Sequence, residues 1–231
     1  MAVAHAEKVT DLMRFFKTGP GQYGEGDRFA GIYVPDNRKV SKRYYALTFT
    51  EIESMLNHPV HEFRLASLLA LVERYRKVKR NDDERRATVD FYLANAHKAN
   101  NWDLVDLSTE YILGEEIACG RRTKELQPLL TSDSLWRQRV AVVAMLTPIR
   151  RNQLELPFAT ASQMLEHPHE LMQKATGWIL REAGKKDEQQ LRTFLTEHIS
   201  SIASITLSYA TERLPLADRQ HFRQMRKASR H

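Results

Sequence analysis

The chain repeats itself at long range, and this repetition limits the folds that it can adopt. The stretch LNHPVHEFRLASLLALVE (56–73) resembles LEHPHELMQKATGWILRE (165–182), and LTSDSLWRQRVAVVAMLT (130–147) is a looser copy. In each stretch a leucine and a polar turn precede a basic residue, Arg64, Arg139 or Lys174, which opens an apolar run containing small residues. These residues lie 75 and 35 positions apart, as expected for two units and one unit of about 35 to 38 residues.

A period of this length, filled by helix pairs with small residues at packing positions, is typical of α-solenoids of the HEAT or armadillo kind. Stacked repeats of this kind present one concave surface, to which corresponding positions of successive repeats contribute. The stretch NNWDLVDLSTEYILG (100–114) lies about where the missing unit belongs. We therefore predict an all-α solenoid of HEAT-like repeats, with a helical bundle that lacks repeats as the alternative.

Helix signals occur along almost the whole chain. Nine glycines and eight prolines among 231 residues are few, which disfavours an all-β fold with many tight turns. Apolar residues recur at helical spacing over residues 5–17, the stretch GPGQYGEGD (19–27) then forms one long loop, and the run after Pro35 again looks helical. We predict a single domain over residues 1–231, with N-terminal helices at 1–47 and repeats at about 48–231.

Local signals also place two helix starts. Thr50 and Glu53 have the spacing of a capping box, which predicts a helix that continues through Leu56. Pro59 suits the first position of the following helix, because the amide hydrogen that proline lacks would be unpaired there.

The charge of the chain favours a polyanionic partner. The formal net charge is +6, and each phosphate that a cation neutralises releases condensed counterions and so adds affinity independent of sequence. Charge alone does not decide the partner, because many basic proteins bind no nucleic acid.

Several other classes of protein are disfavoured. The single Cys119 excludes an internal disulfide and a cysteine-rich metal cluster, and it suits a reducing cytoplasm. Charged residues interrupt the N-terminal apolar residues, so a signal peptide is not indicated, and no segment has the roughly 18 to 20 apolar residues of a membrane span. We expect a monomeric cytoplasmic protein with no membrane segment, no metal site and no cofactor.

The stretch NNWDLVD (100–106) places an indole and two carboxylates within a turn and a half of helix. With Asn100 or Asn101 as the N-cap, Trp102 and Asp106 are four residues apart and project from one face. Asp103 has a structural role near the positive end of the helix dipole, whereas Asp106 has no such role. A tryptophan in an apolar stripe more often belongs to a core, and an aspartate is more often solvated or ion-paired, so spacing alone leaves both interpretations open.

Two further residues fall at related positions of the repeats. Arg139 lies one repeat beyond NNWDLVD, and Trp178 lies in the repeat after that. Three consecutive repeats would then offer an indole with a carboxylate, a guanidinium, and a second indole. Arg139 could equally be an ion-pair partner of Asp106 or a surface cation.

Four segments carry a resemblance to a known family: FAGIYVPDNRKV (29–40), NNWDLVD (100–106), LWRQRVAV (135–142) and QKATGWILRE (173–182). In this order they resemble the bacterial AlkD family of DNA alkylation repair glycosylases, which are built from HEAT-like repeats. The match extends from about residue 23 to residue 182. It implies that Trp102, Asp106, Arg139 and Trp178 line a concave DNA-binding cleft, to which Tyr23 adds an aromatic side chain.

The resemblance also bears on DNA binding. A lysine that the family places eight residues after the arginine is Thr147 here, and Arg150 and Arg151 are near enough to take over its phosphate contact. Lys174 is a further predicted contact to DNA. No lysine is positioned by a motif to form a Schiff base with the sugar, so we expect a monofunctional enzyme that leaves an abasic site.

The activity implied by the resemblance is hydrolysis of the N-glycosidic bond of cationic N3- and N7-alkylated purines in duplex DNA, without base flipping, as in base excision repair. Positive charge on the alkylated base makes it a good leaving group, and positive charge then develops on the deoxyribose. Asp106 would stabilise that charge, Trp102 and Trp178 would flank the sugar, and Arg139 would hold a backbone phosphate.

Two other classes remain open. A non-catalytic repeat protein that binds damaged or distorted DNA would keep the basic groove but should lack the carboxylate or an indole, and all of these are present here. A scaffold for a protein partner would show an exposed apolar or acidic groove, and its affinity would depend little on salt.

Overall fold

A computed structural model describes residues 4–229, and most of these residues are helical. Among them the β structure is limited to one isolated parallel bridge, between Arg28 and Val60. The α-helices are α1 Val9–Phe15, α2 Val34–Ser41, α3 Phe49–Leu56, α4 His61–Val78, α5 Asp82–Ala94, α6 Trp102–Asp106, α7 Thr109–Ala118, α8 Leu126–Leu130, α9 Leu135–Ala144, α10 Leu146–Arg150, α11 Glu155–Gln163, α12 Glu170–Gly184, α13 Glu188–Glu197, α14 Ser204–Ala210 and α15 Leu216–Ala228. The all-α class predicted from the sequence is confirmed.

The described residues fall into two compact units, divided along the sequence between Ile112 and Leu113, inside α7. The single domain over residues 1–231 stays a prediction, and its ends at 1–3 and 230–231 lie outside the described residues. In the first unit α4 packs against α2, α3 and α5, and most of its apolar side chains are buried, among them Leu65, Leu68, Leu69 and Val72. In the second unit α12 packs against α9, α11, α13 and α14, and residues 140–145 of α9 and the turn after it have no exposed surface.

The start of α3 differs from the prediction. Thr48, rather than Thr50, is the N-cap: its Oγ1 accepts a hydrogen bond from the Glu51 amide at 3.2 Å, and the Glu51 carboxylate accepts one from the Thr48 amide at 2.7 Å. Both pairs fit the spacing of a capping box. The earlier start also brings Phe49 into the helix, where its ring stacks on Phe91 with centroids 4.7 Å apart.

The start of α4 also differs, because Val60 is the N-cap and Pro59 lies two residues before the first helical position. The Pro59 carbonyl accepts a hydrogen bond from the Arg28 amide, and the His61 amide donates to the Arg28 carbonyl at 2.8 Å. This pairing keeps Val60 extended, so the helix cannot begin before His61.

The turns before α4 and α12 share one local structure, which supports the repeat. Arg64 Nη1 donates to the His58 carbonyl at 2.9 Å, and Gln173 Nε2 donates to the His167 carbonyl at 2.8 Å. In both turns the histidine Nδ1 accepts a hydrogen bond from the amide two residues further on. The residue of α12 that corresponds to Arg64 is therefore Gln173, one position before Lys174.

Candidate functional site

The stretch NNWDLVD forms the short helix α6, and Asn101 is its N-cap. Asn101 has extended backbone angles, and its side-chain oxygen accepts a hydrogen bond from the Trp102 amide at 2.8 Å. Leu104 and Val105 have no exposed surface, whereas Trp102 and Asp106 are half-buried. The helix therefore buries its middle and leaves the predicted indole and carboxylate, four residues apart, partly accessible.

Asp103 has a different environment from Asp106. It is buried, its Oδ2 lies 2.7 Å from Nε2 of His61, and its Oδ1 accepts the Leu104 amide at 2.8 Å. Asp103 therefore has a structural role through its ion pair with His61, and the predicted interaction with the helix dipole stays a prediction. Asp103 is thus committed to the interior of the first unit.

His61 connects Asp103 to a second buried carboxylate. Its Nδ1 lies 3.1 Å from Oδ2 of Asp27, and the other oxygen of Asp27 accepts a hydrogen bond from Nη2 of Arg64 at 2.5 Å. Asn101 Nδ2 donates to Oδ2 of Asp27 at 3.3 Å, so the N-cap of α6 joins the same network. Each of these five side chains belongs to a buried residue.

The electrostatics of the network favour a protonated His61. Burial opposes the charge, but the hydrogen bonds and the negative charges of Asp103 and Asp27 outweigh it and raise the pKa of His61 to about 9. Burial also opposes ionisation of Asp27, yet the contacts with His61 and Arg64 hold its pKa below the usual range. Two carboxylates, one imidazolium and one guanidinium then sum to zero charge.

A series of aromatic rings connects His61 to Trp102. The Phe29 ring stacks on His61 with centroids 4.7 Å apart, and Phe16 stacks on Phe29 at 5.1 Å. Trp102 stacks on Phe16 at 5.2 Å, and the exposed Phe15 meets the indole edge-on at 5.6 Å. One side of the indole is therefore fixed by aromatic packing from the end of α1.

The glycine-rich loop brings Asp27 into the network. Gly24 lies so close to the Phe16 carbonyl that a Cβ there would clash with backbone, and this close approach explains one of the glycines. Tyr23 precedes it, half-buried, with its ring centroid 5.9 Å from Nζ of Lys17. The loop thus positions both a predicted DNA contact and a buried carboxylate.

Glu62 fixes the segment that follows the loop. Its carboxylate accepts hydrogen bonds from the amides of Ala30 at 2.9 Å, Gly31 at 2.9 Å and Ile32 at 3.1 Å. The sequence analysis did not identify Asp27, His61 or Glu62. The available signal was that the apolar helix α4 begins with the polar residues His61 and Glu62, which need hydrogen-bond partners when they are buried.

Tyr92 holds the other end of α6. Its hydroxyl lies 2.5 Å from Oγ1 of Thr109 and 3.1 Å from Oγ of Ser108, and Ser108 donates to the Leu104 carbonyl at 2.6 Å. Burial, with a smaller contribution from the charge of Asp106, raises the pKa of Tyr92 to about 12. The tyrosine is therefore neutral, and the carboxylate of Asp106 is near enough to influence it.

In the second unit, the predicted residues Arg139, Lys174 and Trp178 are associated with α12. Arg139 lies in α9, is only 5% exposed, and donates from Nη1 to the Leu171 carbonyl, in the first turn of α12, at 2.6 Å. Lys174 forms an ion pair with Glu170, and Trp178 is half-buried one turn further along the helix.

Close packing fixes the segment of α12 that carries Trp178. A Cβ on the neighbouring Gly177 would lie 2.5 Å from Cβ of Tyr209 and 2.7 Å from the Thr206 carbonyl oxygen, both in α14. Only glycine therefore allows this approach of the two helices.

The substitutes predicted for the family lysine differ in their surroundings. Arg150 is exposed at the end of α10. Arg151 forms an ion pair with Glu115 at 2.6 Å and lies 3.2 Å from Sγ of Cys119. Thr147 is buried, with Oγ1 2.8 Å from the point where a Cβ on Gly114 would be, so it is a packing residue between α10 and α7.

Within each unit the structure brings some predicted residues together. Trp102 and Asp106 share α6 in the first unit, and Arg139, Lys174 and Trp178 are grouped around α12 in the second. In residues 4–229 no group of three or more His, Cys, Asp or Glu side chains is arranged to hold a metal ion. No helix in the same residues has the length and apolar character needed to cross a membrane.

Comparisons with known proteins identify one matching family model and one similar fold. A family model described as DNA alkylation repair enzyme matches residues 1–214. The solved structure of a predicted DNA alkylation repair enzyme from Enterococcus faecalis has a similar fold, with a TM-score of 0.71 and 17% sequence identity over 93% of this chain and 98% of that one. None of the curated proteins matches. The likeness to the solved structure confirms a helical-repeat fold.

Proposed function

Because the chain belongs to the family of DNA alkylation repair enzymes, we propose that it is a monofunctional DNA glycosylase that releases cationic N3- and N7-alkylated purines from duplex DNA. Its products would be a free base, such as 3-methyladenine or 7-methylguanine, and an abasic site. The observation that carries this proposal is the contrast within α6: His61 neutralises the buried Asp103, while Asp106 remains half-buried beside Trp102.

The proposed reaction needs little acid catalysis from the protein. An alkylated purine carries a positive charge and leaves readily, so no strong general acid is required. As the N-glycosidic bond lengthens, positive charge develops on the deoxyribose, and a fixed carboxylate stabilises that state more than the ground state. Asp106 is the carboxylate we propose for this role, and it could also orient the water that attacks C1′.

Trp102 and Trp178 would add a second electrostatic contribution. The face of an indole carries negative quadrupole, so its attraction for the sugar grows as the sugar becomes a cation. The stack with Phe16 limits rotation of Trp102, and the close packing at Gly177 limits movement of the α12 segment that carries Trp178. Within each unit this packing therefore restricts the segment that carries the indole, which supports the proposed roles.

The cations would hold the DNA backbone. The bond from Arg139 to the Leu171 carbonyl orients a guanidinium that we propose binds a phosphate. Tyr23, Arg150, Arg151 and Lys174 are the further proposed contacts to the duplex. These contacts are to backbone and sugar, so the proposal includes hydrolysis without base flipping and without a cofactor. A monomeric state and a cytoplasmic location remain predictions.

Single-turnover release of 3-methyladenine and 7-methylguanine from a methylated duplex tests the proposal. We expect wild type to excise both bases and Asp106→Asn to be slower by about 100-fold or more, with DNA affinity retained. Asp83→Asn makes the same charge change at a side chain that is 89% exposed, and it should behave as wild type. Salt-dependent duplex binding by a wild type that releases no base would instead indicate a non-catalytic DNA-binding repeat protein.

A further inference from the structure

Three distant segments converge on one buried imidazole ring. Asp27 ends the glycine-rich loop, His61 begins α4, and Asp103 is the second residue of α6, so the two hydrogen bonds span 34 and 42 positions of the chain. His61 is only 1% exposed, and both carboxylates are buried. The network therefore cross-links the loop and α6 through α4.

The geometry of the network requires a protonated ring. A neutral imidazole carries one proton, so one of its nitrogens would direct a lone pair at a carboxylate oxygen. Each ring nitrogen of His61 faces a carboxylate, at 3.1 Å for Asp27 and 2.7 Å for Asp103. With both carboxylates ionised, both contacts are attractive only if the ring donates from both nitrogens. The charged groups that face the ring are Asp27 from the loop and Asp103 from α6, and Arg64 lies behind Asp27.

We propose that His61 is a positioning residue whose protonated ring fixes α6, and with it the orientation of Asp106 and Trp102. This inference rests on the proposed function, because it makes His61 responsible for the orientation of Asp106, the carboxylate proposed to act on the sugar. His61 does not touch DNA in this scheme and acts through α6 and through the aromatic rings that pack on Trp102.

A five-residue helix needs such support. Helices this short are unstable on their own, because nucleation fixes several residues for each hydrogen bond gained. Asp103 lies three residues before Asp106 in α6. Fixing Asp103 therefore also fixes the direction in which Asp106 projects from the helix. Tyr92 reaches α6 only indirectly, through Ser108, which donates to the Leu104 carbonyl, and its other contact is with Thr109, after the helix.

The same ring also affects Trp102. His61 contacts Phe29 and Phe16, with centroids 4.7 Å and 5.0 Å away, and Phe16 stacks on the indole. A change in the charge or position of His61 should therefore alter the environment of Trp102. This gives a spectroscopic signal that is independent of catalysis.

The test compares His61→Gln with His221→Gln, a matched change at an exposed histidine of α15. At neutral pH we expect His61→Gln to lower the single-turnover rate by about 10- to 100-fold while the Kd for the duplex stays within about threefold. In a Trp136→Phe and Trp178→Phe background, Trp102 emission should shift on His61→Gln. In the same background with His61 retained, Trp102 emission should change only as the pH rises through about 9.

Two measurements keep the inference testable if His61→Gln does not fold. Asp103→Asn keeps the shape of the side chain and removes one of the two charges, and it should produce the same loss of rate and shift in emission. In wild type, NMR titration should find the His61 ring protonated through pH 8. A ring that is neutral at pH 8, or a folded His61→Gln with the rate and emission of His221→Gln, would overturn the inference.

The outcomes separate this inference from the proposed function. If wild type releases no alkylated base, the glycosylase proposal fails, and Trp102 emission and the His61 titration still decide whether the ring fixes α6. If wild type releases base and His61→Gln does so equally fast, the enzyme proposal stands and the positioning role is wrong.

Discussion

The helices α6 and α12 carry the two tryptophans proposed to flank the sugar, and the protein holds them by different means. The short α6 is anchored by buried charges on Asp27, His61 and Asp103. The 15-residue α12 is held by apolar packing, by the close contact at Gly177, by a hydrogen bond from Arg139 to a carbonyl and by a partly exposed ion pair of Arg181 with Glu212. A short helix lacks enough apolar surface to define its orientation, whereas directional ion pairs can do so.

The largest effect on stability is expected when His61 is removed from between the carboxylates of Asp27 and Asp103. His61→Ala leaves two buried carboxylates without their shared partner, so we expect it to lower the free energy of unfolding by about 3–5 kcal/mol. Urea unfolding monitored by circular dichroism measures the loss, with His221→Ala as the control at an exposed site. A loss below about 1 kcal/mol would mean that the network stabilises the first unit far less than its burial indicates.

The contributions of His61 and His167 to the free energy of unfolding should change with pH in opposite directions. The raised pKa of His61 means that its contribution, up to about 3 kcal/mol, is fully present below its unfolded pKa near 6.5 and is lost as the pH rises through about 9. Burial, followed by the neighbouring His169, lowers the pKa of His167 in the turn before α12, so its contribution is lost as the pH falls below 6.5.

Unfolding free energies of wild type, His61→Gln and His167→Gln across pH 5 to 10 test this contrast. The difference between wild type and His61→Gln should shrink towards high pH. The difference between wild type and His167→Gln should shrink towards low pH. The same sign for both would contradict the electrostatic description of the two regions.

The packing of α12 should respond to added volume rather than to pH. Gly177→Ala places a Cβ against the backbone of Thr206 and Cβ of Tyr209, neither of which can move away easily, and should cost about 1–3 kcal/mol. Gly184→Ala is a comparison in the same helix, because the three atoms nearest to its new methyl all belong to the Leu191 side chain and none to backbone. Thermal stability of Gly177→Ala equal to that of wild type would show that α12 and α14 can separate at little cost.

The smallest effect is expected at the surface of the second unit. Arg151 and Glu115 are 40% and 36% exposed, so their ion pair should contribute less than about 1 kcal/mol. Glu115→Gln should therefore leave the unfolding midpoint almost unchanged, and the small loss should diminish in high salt. A loss comparable to that of Gly177→Ala would show that this pair acts as more than a surface contact.

Local and periodic features could be predicted from the sequence. The repeat predicted helices, and the apolar run after Arg64 is buried in α4 as expected. Of the two N-caps considered for α6, Asn100 and Asn101, the structure shows Asn101. The capping box was misplaced because Thr48 and Glu51 have the same spacing as Thr50 and Glu53. Pro59 was misplaced because the Arg28–Val60 bridge, a long-range contact, delays the helix start.

The buried network could not be predicted in the same way. Asp27, His61 and Asp103 are separated by 34 and 42 positions and belong to a loop and two different helices, so no periodicity connects them. The sequence NNWDLVD predicts a structural role for Asp103 near the helix dipole and none for Asp106, but it does not predict the buried contact between Asp103 and His61. The assignment of Asp106 as the carboxylate that acts on the sugar is accordingly a proposal that kinetics must test.

The most direct measurement compares two isosteric changes in one helix, Asp106→Asn and Asp103→Asn, by single-turnover release of 7-methylguanine and by unfolding free energy. We predict that Asp106→Asn loses about 100-fold or more in rate and keeps its stability within about 1 kcal/mol. Asp103→Asn should have a lower free energy of unfolding than wild type, and its rate should fall by about 10- to 100-fold, less than that of Asp106→Asn. Wild-type rates in a folded Asp106→Asn variant would contradict the proposal that this carboxylate stabilises the sugar cation.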